Sequence, residues 1–245
     1  MDYRREILSH TAHRPWSLPK GAWVMEQGWY NLLFAHWEVP VAQLRPLIPT
    51  PLELDVYAGG SWVSITPFLL TMRPRGLSAA GRLWTFPEMN FRTYVTYQNK
   101  PGIYFFSLDA GSLLAVTGAR IFYRLPYFHA QMRISRENGA FHYESRRLVN
   151  PVEFSAEYQP VSDTFHAASG TLSHWLAERY CLYVVAGSRV YRAEIHHRPW
   201  PLQNAEATIA RNTLSHQVGL SLRSHPDLLQ YAEREEVLIW PLRAA

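Results

Sequence analysis

The sequence predicts a mainly β, α+β fold: antiparallel strands arranged as a barrel or sandwich, with one or two peripheral helices. Three observations carry that expectation. Short runs of β-branched and aromatic residues recur along the chain, separated by compact turn signals such as Gly59-Gly60, Asn138-Gly139 and Gly187-Ser188. Only Leu172, Trp175, Leu176 and Tyr180 fall on a clear helical stripe. No linker or low-complexity stretch divides the chain, so residues 23–242 read as one domain behind an N-terminal arm, residues 1–22.

The elements follow in order. The arm carries His13-Arg14-Pro15-Trp16, and the same four residues return as His197-Arg198-Pro199-Trp200. Their flanks do not match, which favours chance or a shared packing role over duplication. Trp29 to Trp37 reads as a buried strand, and Pro40 starts a short helix through Leu44 that Pro46, Pro49 and Pro51 end. Leu52 to Tyr57 and Ser61 to Leu70 read as strands about Ala58-Gly59-Gly60, and Met72 to Phe86 as a loop. Met89 to Tyr97 and Ile103 to Leu108 form a hairpin whose turn is assigned to Pro101-Gly102. Ser112 to Val116 reads as a single helical turn ending near Gly118. Asn138-Gly139 sets a hairpin of Tyr127 to Ser135 with Ala140 to Leu148, which places Arg133 opposite Glu144. Thr171 or Ser173 caps the one helix. Cys181 to Val185 and Arg189 to Ile195 pair about Gly187-Ser188, and Glu236 to Trp240 closes the sheet.

Composition narrows the function. The 245 residues are 47 % hydrophobic, enough for a substantial core, and the net charge of +4 is modest. Of the 24 basic residues 22 are arginine, yet no basic run or reader motif occurs, so nucleic acid is not an expected partner. No run of about 18 apolar residues is present, and no signal peptide is legible, so neither a membrane nor export is expected. The single cysteine, Cys181, forms no internal disulfide and fits the cytoplasm. The two lysines, Lys20 and Lys100, lie in an arm and a turn, contexts that do not desolvate an amine.

One strand carries a chemical constellation. In Glu88 to Thr96, period two puts Glu88, Asn90, Arg92, Tyr94 and Thr96 on one face. If that face is interior, Arg92 can hold a ligand carboxylate by two parallel hydrogen bonds, Asn90 can assist, and Glu88 can act as general acid or base. The alternative is an ordinary solvent face. His129 is a second acid–base candidate, against a strand-edge histidine without a role. His196 and His197 are adjacent on a strand and so point to opposite faces. His196 reads as the more available and His197 as a core residue, and no metal site is expected. No nucleotide, dinucleotide or zinc-ribbon motif occurs, and no cofactor is expected.

Several segments together resemble the YqjF-like family of uncharacterised domains, which is related to acetoacetate decarboxylase. They are residues 44–49, 61–64 with Pro67-Phe68, 86–95, 102–110, 178–183 and 193–200. The frame from Ala119 to Phe128 is similar to the decarboxylase's lysine motif, in which one lysine forms a Schiff base and the next lowers its pKa. Arg120 and Pro126 keep their places, while Tyr127 and Phe128 stand where the lysines would be. The resemblance implies a bent antiparallel sheet closed into a cone-like barrel around a cavity, with Arg120 beside it. The resemblance carries no activity; from the residues the expected ligand is a small carboxylic or oxo acid, or an apolar molecule with one acid group, anchored by Arg92 or Arg120 with Tyr127 among the ligand-binding residues, and imine chemistry is lost with the lysines. A non-catalytic protein, either a ligand sensor or a structural partner in a homo-oligomer, is the other expectation.

Overall fold

The computed structural model describes residues 3–76, 84–149 and 151–245. A short helix, α1 (Tyr3–Ser9), precedes the first strand, β1 (Met25–Val39). After α2 (Val41–Leu44) come β2 (Glu53–Leu54), β3 (Ser61–Pro74), β4 (Trp84–Tyr97) and β5 (Lys100–Ala110). Helix α3 (Leu113–Tyr123) leads to β6 (Tyr127–Glu137), β7 (Ala140–Arg147) and β8 (Glu153–Pro160). Beyond α4 (Leu172–Ala177) lie β9 (Cys181–Ala186), β10 (Arg189–His196), β11 (Leu202–Asn212), β12 (Leu228–Ile239) and β13 (Arg243–Ala244).

The curved sheet closes on itself twice. One hydrogen-bonded ring runs β4-β5-β6-β7-β8-β11-β12-β1-β3; a smaller one runs β4-β5-β9-β10-β12-β1-β3. The rings share five strands because β5 and β12 each change partner along their length. β5 pairs with β9 at Ile103 and Tyr104, then with β6 from Leu108 to Ala110. β12 pairs with β11 from Gln230 to Ala232, then with β10 at Leu238 and Ile239. Shared strands are therefore buried on both faces. Met89 and Phe91 of β4 join the core of the larger ring, with Ala35, Ile65, Tyr143 and Phe154. Residues of the opposite parity, such as Phe34, Phe68, Leu70 and Phe86, line the smaller ring with Leu108, Val184 and Trp200.

The expected barrel is present, with local corrections. Both β5–β6 and β5–β9 are parallel rather than antiparallel. The first needs a crossover, which α3 supplies. That helix runs eleven residues, well past Gly118, to end at Arg124 in the left-handed region (φ 55°) before Pro126. Its outward side carries Leu113, Leu114, Ile121 and Phe122, all exposed, so no amphipathic stripe announced it. The β4–β5 turn is Gln98-Asn99, both at positive φ, while Pro101-Gly102 lies in β5. A Cβ at Gly102 would come within 2.7 Å of Cys181 Sγ, so glycine there admits β9. Glu53–Leu54 pairs with β4, not β3. The hairpin at Asn138-Gly139 keeps its expected register, Arg133 opposite Glu144. Part of the expected loop from Met72 to Phe86 is strand, and residues 77–83 lie outside the described residues. Tyr180 falls beyond α4, whose N-cap is Thr171. Among the described residues, no helix is long and apolar enough to cross a membrane.

The arm folds back onto the smaller ring. Ile7 packs on Leu238 and Trp240. The two copies of the His-Arg-Pro-Trp tetrapeptide meet: the His13 ring nitrogen lies 2.8 Å from the His197 carbonyl oxygen, and the His13 ring stacks on His196 at 5.6 Å. His196 is consequently buried, with Nε2 2.9 Å from the Ile7 carbonyl. The expectation that it would be the available member of the pair is corrected by the arm lying over it.

Candidate functional site

The β4 constellation faces the interior of the smaller ring. Cross-strand partners share a face, and the register sets Phe68 against Glu88, Thr66 against Asn90 and Ser64 against Arg92. Glu88, Asn90 and Arg92 are 5 %, 6 % and 9 % exposed, so the solvent-face alternative does not hold.

Asn90 is fixed by Thr66, whose hydroxyl donates to Asn90 Oδ1 at 2.7 Å. Glu88 accepts the Tyr127 hydroxyl at 3.0 Å on its carboxyl group, and the Tyr143 hydroxyl at 2.7 Å on its backbone carbonyl. Burial pushes the Glu88 pKa up to about 8, aided by the negative charge of Asp109 and opposed by the Tyr127 hydrogen bond. The group is then mostly protonated at neutrality and able to give up a proton. Tyr127, in the position of the first motif lysine, is itself buried, and burial with the nearby Glu88 holds its hydroxyl well above the ordinary phenol range. Phe128, in the second position, lies under the Arg147 guanidinium at 3.9 Å.

Arg92 stands apart from the other buried arginines. Arg14 pairs with Glu194 at 3.3 Å, Arg147 with Asp109 at 2.7 Å and Arg179 with Asp55 at 2.5 Å. Among the described residues Arg92 pairs with no carboxylate, its Nε has no hydrogen-bond partner, and its guanidinium lies 5.4 Å from the centre of the Phe34 ring. Burial lowers its pKa, and the Tyr94 hydroxyl counters that. A buried cation without a counter-charge costs several kcal/mol, about what one well-placed anion returns.

Beside Arg92 runs a short chain of hydrogen bonds: His36 Nδ1 to Ser64 Oγ at 2.6 Å, and Ser64 Oγ to Tyr94 Oη at 2.6 Å. His36 is fully enclosed, its Nε2 is unpartnered, and burial with the Arg92 charge holds it neutral. Sequence reasoning missed His36 and also Gln230 of β12. The available signal was a lone polar residue at an inward parity of an apolar strand.

Two expected residues do not join this cluster. Arg120 is exposed on α3, its Nε donating 2.7 Å to the Tyr127 carbonyl. It ties the helix to the start of β6 because the full length of α3 carries it outward. His129 pairs with Ala110 in register and is part-exposed, and its side chain makes no hydrogen bond or ion pair among the described residues. No cluster of metal-ligating side chains is found among the described residues.

The buried carboxyl sets a pH dependence. Between its ordinary pKa of 4.5 and about 8, folded Glu88 keeps a proton that the unfolded chain has released. Its contribution to stability is therefore full below pH 4.5 and lost as pH rises to about 8. Glu88→Gln removes that slope. In urea denaturation the variant should gain on the wild type by a few kcal/mol between pH 5 and about 8, at about 1.4 kcal/mol for each step of one in pH, and no further above that. Parallel pH profiles for the two proteins would show that Glu88 titrates as a solvated carboxylate.

A model of the family DUF2071, described as "Uncharacterized conserved protein (COG2071)", matches residues 26–236. The uncharacterized protein YqjF of Bacillus subtilis (strain 168) is 49 % identical over 229 residues, 93 % of this chain and 95 % of that protein. Among solved structures, the enduracididine biosynthesis enzyme MppR complexed with pyruvate superposes with TM-score 0.65 at 11 % identity, over 95 % of this chain and 93 % of MppR. An acetoacetate decarboxylase-like enzyme from Sphingomonas wittichii RW1 gives 0.62 at 10 % identity, over 95 % and 97 % of the two chains. Acetoacetate decarboxylase itself gives 0.63 at 11 % identity, over 98 % and 97 %. At these identities the likeness is one of fold.

Proposed function

This chain belongs to the DUF2071 family, and we propose that it binds a small carboxylic acid inside its smaller strand ring. The observation that carries this reading is Arg92: a buried guanidinium with no carboxylate partner among the described residues. The ligand carboxylate is the missing counter-charge, Asn90 and Tyr127 lie on the same interior, and Phe34, Phe68 and Trp200 form an apolar wall for the rest of the molecule. That a protein of this fold has been solved with pyruvate supports a ligand of this size and charge.

Chemistry at the site, where it occurs, is proton transfer by Glu88, in enolisation, hydration or hydrolysis. Imine formation is excluded at the motif positions, since neither a phenol nor a phenyl ring can form one. Lys100 is engaged by Glu194 at 3.4 Å and lies over Trp16, and Lys20 is exposed. Borohydride reduction in the presence of pyruvate or acetoacetate should therefore leave the intact mass unchanged; a reduced adduct on either lysine would contradict this. The same substitutions favour a second reading, a sensor that binds without turnover. Solvent deuterium appearing at carbon in the bound acid selects the enzyme, and binding without exchange selects the sensor. We place the protein in the cytoplasm, where the single buried Cys181 meets no demand for a disulfide.

The reading is tested by a thermal-shift screen of small carboxylic and oxo acids against the wild type and Arg92→Met. A ligand at about 100 times its Kd adds roughly 2.7 kcal/mol of stability. A rise in Tm that disappears in Arg92→Met is the expected result. A rise that survives the substitution, or none with any acid, rejects the site.

A further inference from the structure

Gln230 is a further interior polar side chain with unpartnered atoms. It is 0 % exposed, and neither its amide nitrogen nor its carbonyl oxygen has a hydrogen-bond partner. In the β1–β12 register it lies opposite Phe34 and so shares that residue's inward face. The Phe34 ring is also the common neighbour of Arg92 (5.4 Å), His36 (5.8 Å, stacked) and Trp200 (5.0 Å, edge-on). His36 Nε2 and Trp200 Nε1 are likewise unpartnered. Unpaired buried polar atoms of this kind cost free energy that a matching ligand returns.

The chemistry of these atoms is unequal. Guanidinium and indole nitrogens can only donate, whereas Gln230 both donates and accepts. Resting on the carboxylate reading above, we propose that the ligand carries a second group that also donates and accepts, an alcohol or a primary amide, and that Gln230 selects it. A ketone oxygen accepts only and leaves Gln230 Oε1 unpaired; an unsubstituted chain leaves both amide atoms unpaired. Sites that hold buried hydrogen-bonding groups reject analogues lacking the partner strongly, because the site's own polar atoms are then stranded.

The test is a matched set of four-carbon acids titrated against the wild type: 2-hydroxybutanoate, 3-hydroxybutanoate, 2-oxobutanoate, acetoacetate, butanoate and succinamate. At least one hydroxy acid, or succinamate, is expected to bind about tenfold or more tightly than the oxo acids and butanoate. Gln230→Met, nearly the same shape, should remove that preference while leaving residual binding that depends on Arg92. Oxo acids that bind as well as hydroxy acids, or a preference untouched by Gln230→Met, overturn the assignment and leave the Arg92 reading standing. Failure of every acid to bind overturns both.

Discussion

Arg147→Met is expected to destabilise the fold by about 3–5 kcal/mol at neutral pH, read by urea denaturation. The Arg147–Asp109 pair joins β7 to β5, the strand on which the two rings divide, and both residues are almost fully enclosed. Arg147 Nε donates to Asp109 at 2.7 Å, Nη1 donates to Gln217 at 2.7 Å, and the guanidinium covers Phe128. Without Arg147, Asp109 is a buried carboxylate with no counter-charge, and the folded protein must take up a proton to keep it inside. Burial already holds the Asp109 pKa above its ordinary 3.8 against the pull of Arg147. Removing that pull raises it further, so the folded state retains a proton that the unfolded chain loses. The variant's deficit should therefore grow as pH rises. Adding Asp109→Asn to Arg147→Met should recover most of the loss. A single-variant cost below about 1 kcal/mol would mean that the pair does not hold the strand junction together.

Arg92→Met is expected to act in the opposite direction. In the absence of ligand it should raise stability by about 1–3 kcal/mol, because a similar apolar volume replaces a buried cation that lacks an anion. The same substitution should weaken binding of a small carboxylate by about 100-fold or more, the scale on which a buried hydrogen-bonded charge pair is lost. Gain of stability with loss of binding is the mark of a residue kept for function. Destabilisation of more than about 1 kcal/mol would instead show that Arg92 is held by partners within the fold.

The fold was legible in the sequence to the level of a β barrel, through turn signals and alternation, but the double closure was not. β5 and β12 each serve two partners, and nothing in a strand's own residues tells which edge it offers where. For the site, period two grouped Glu88, Asn90 and Arg92 correctly. Composition could not reveal whether that face was inward, because both faces of β4 are buried and Met89 and Phe91 read equally well as core. The resemblance sets Arg120 beside the cavity, but α3 continues past the Gly118 signal and carries it to the surface; the helix's apolar outer side obscures its period in sequence. His36 and Gln230 each stand alone among apolar neighbours in sequence, and only the strand pairing brings them to the Phe34 face. The repeated His-Arg-Pro-Trp segments likewise acquired a meaning, mutual packing, once the arm was seen to fold over β10.

The most direct measurement is a crystal structure of the wild type with the tightest-binding acid from the screen. The carboxylate is expected within hydrogen-bond distance of Arg92, above Phe34 and inside the smaller ring, with Glu88 still joined to Tyr127 or turned to the ligand. An acid bound outside that ring, with Arg92 still lacking a carboxylate partner, would contradict the central claim.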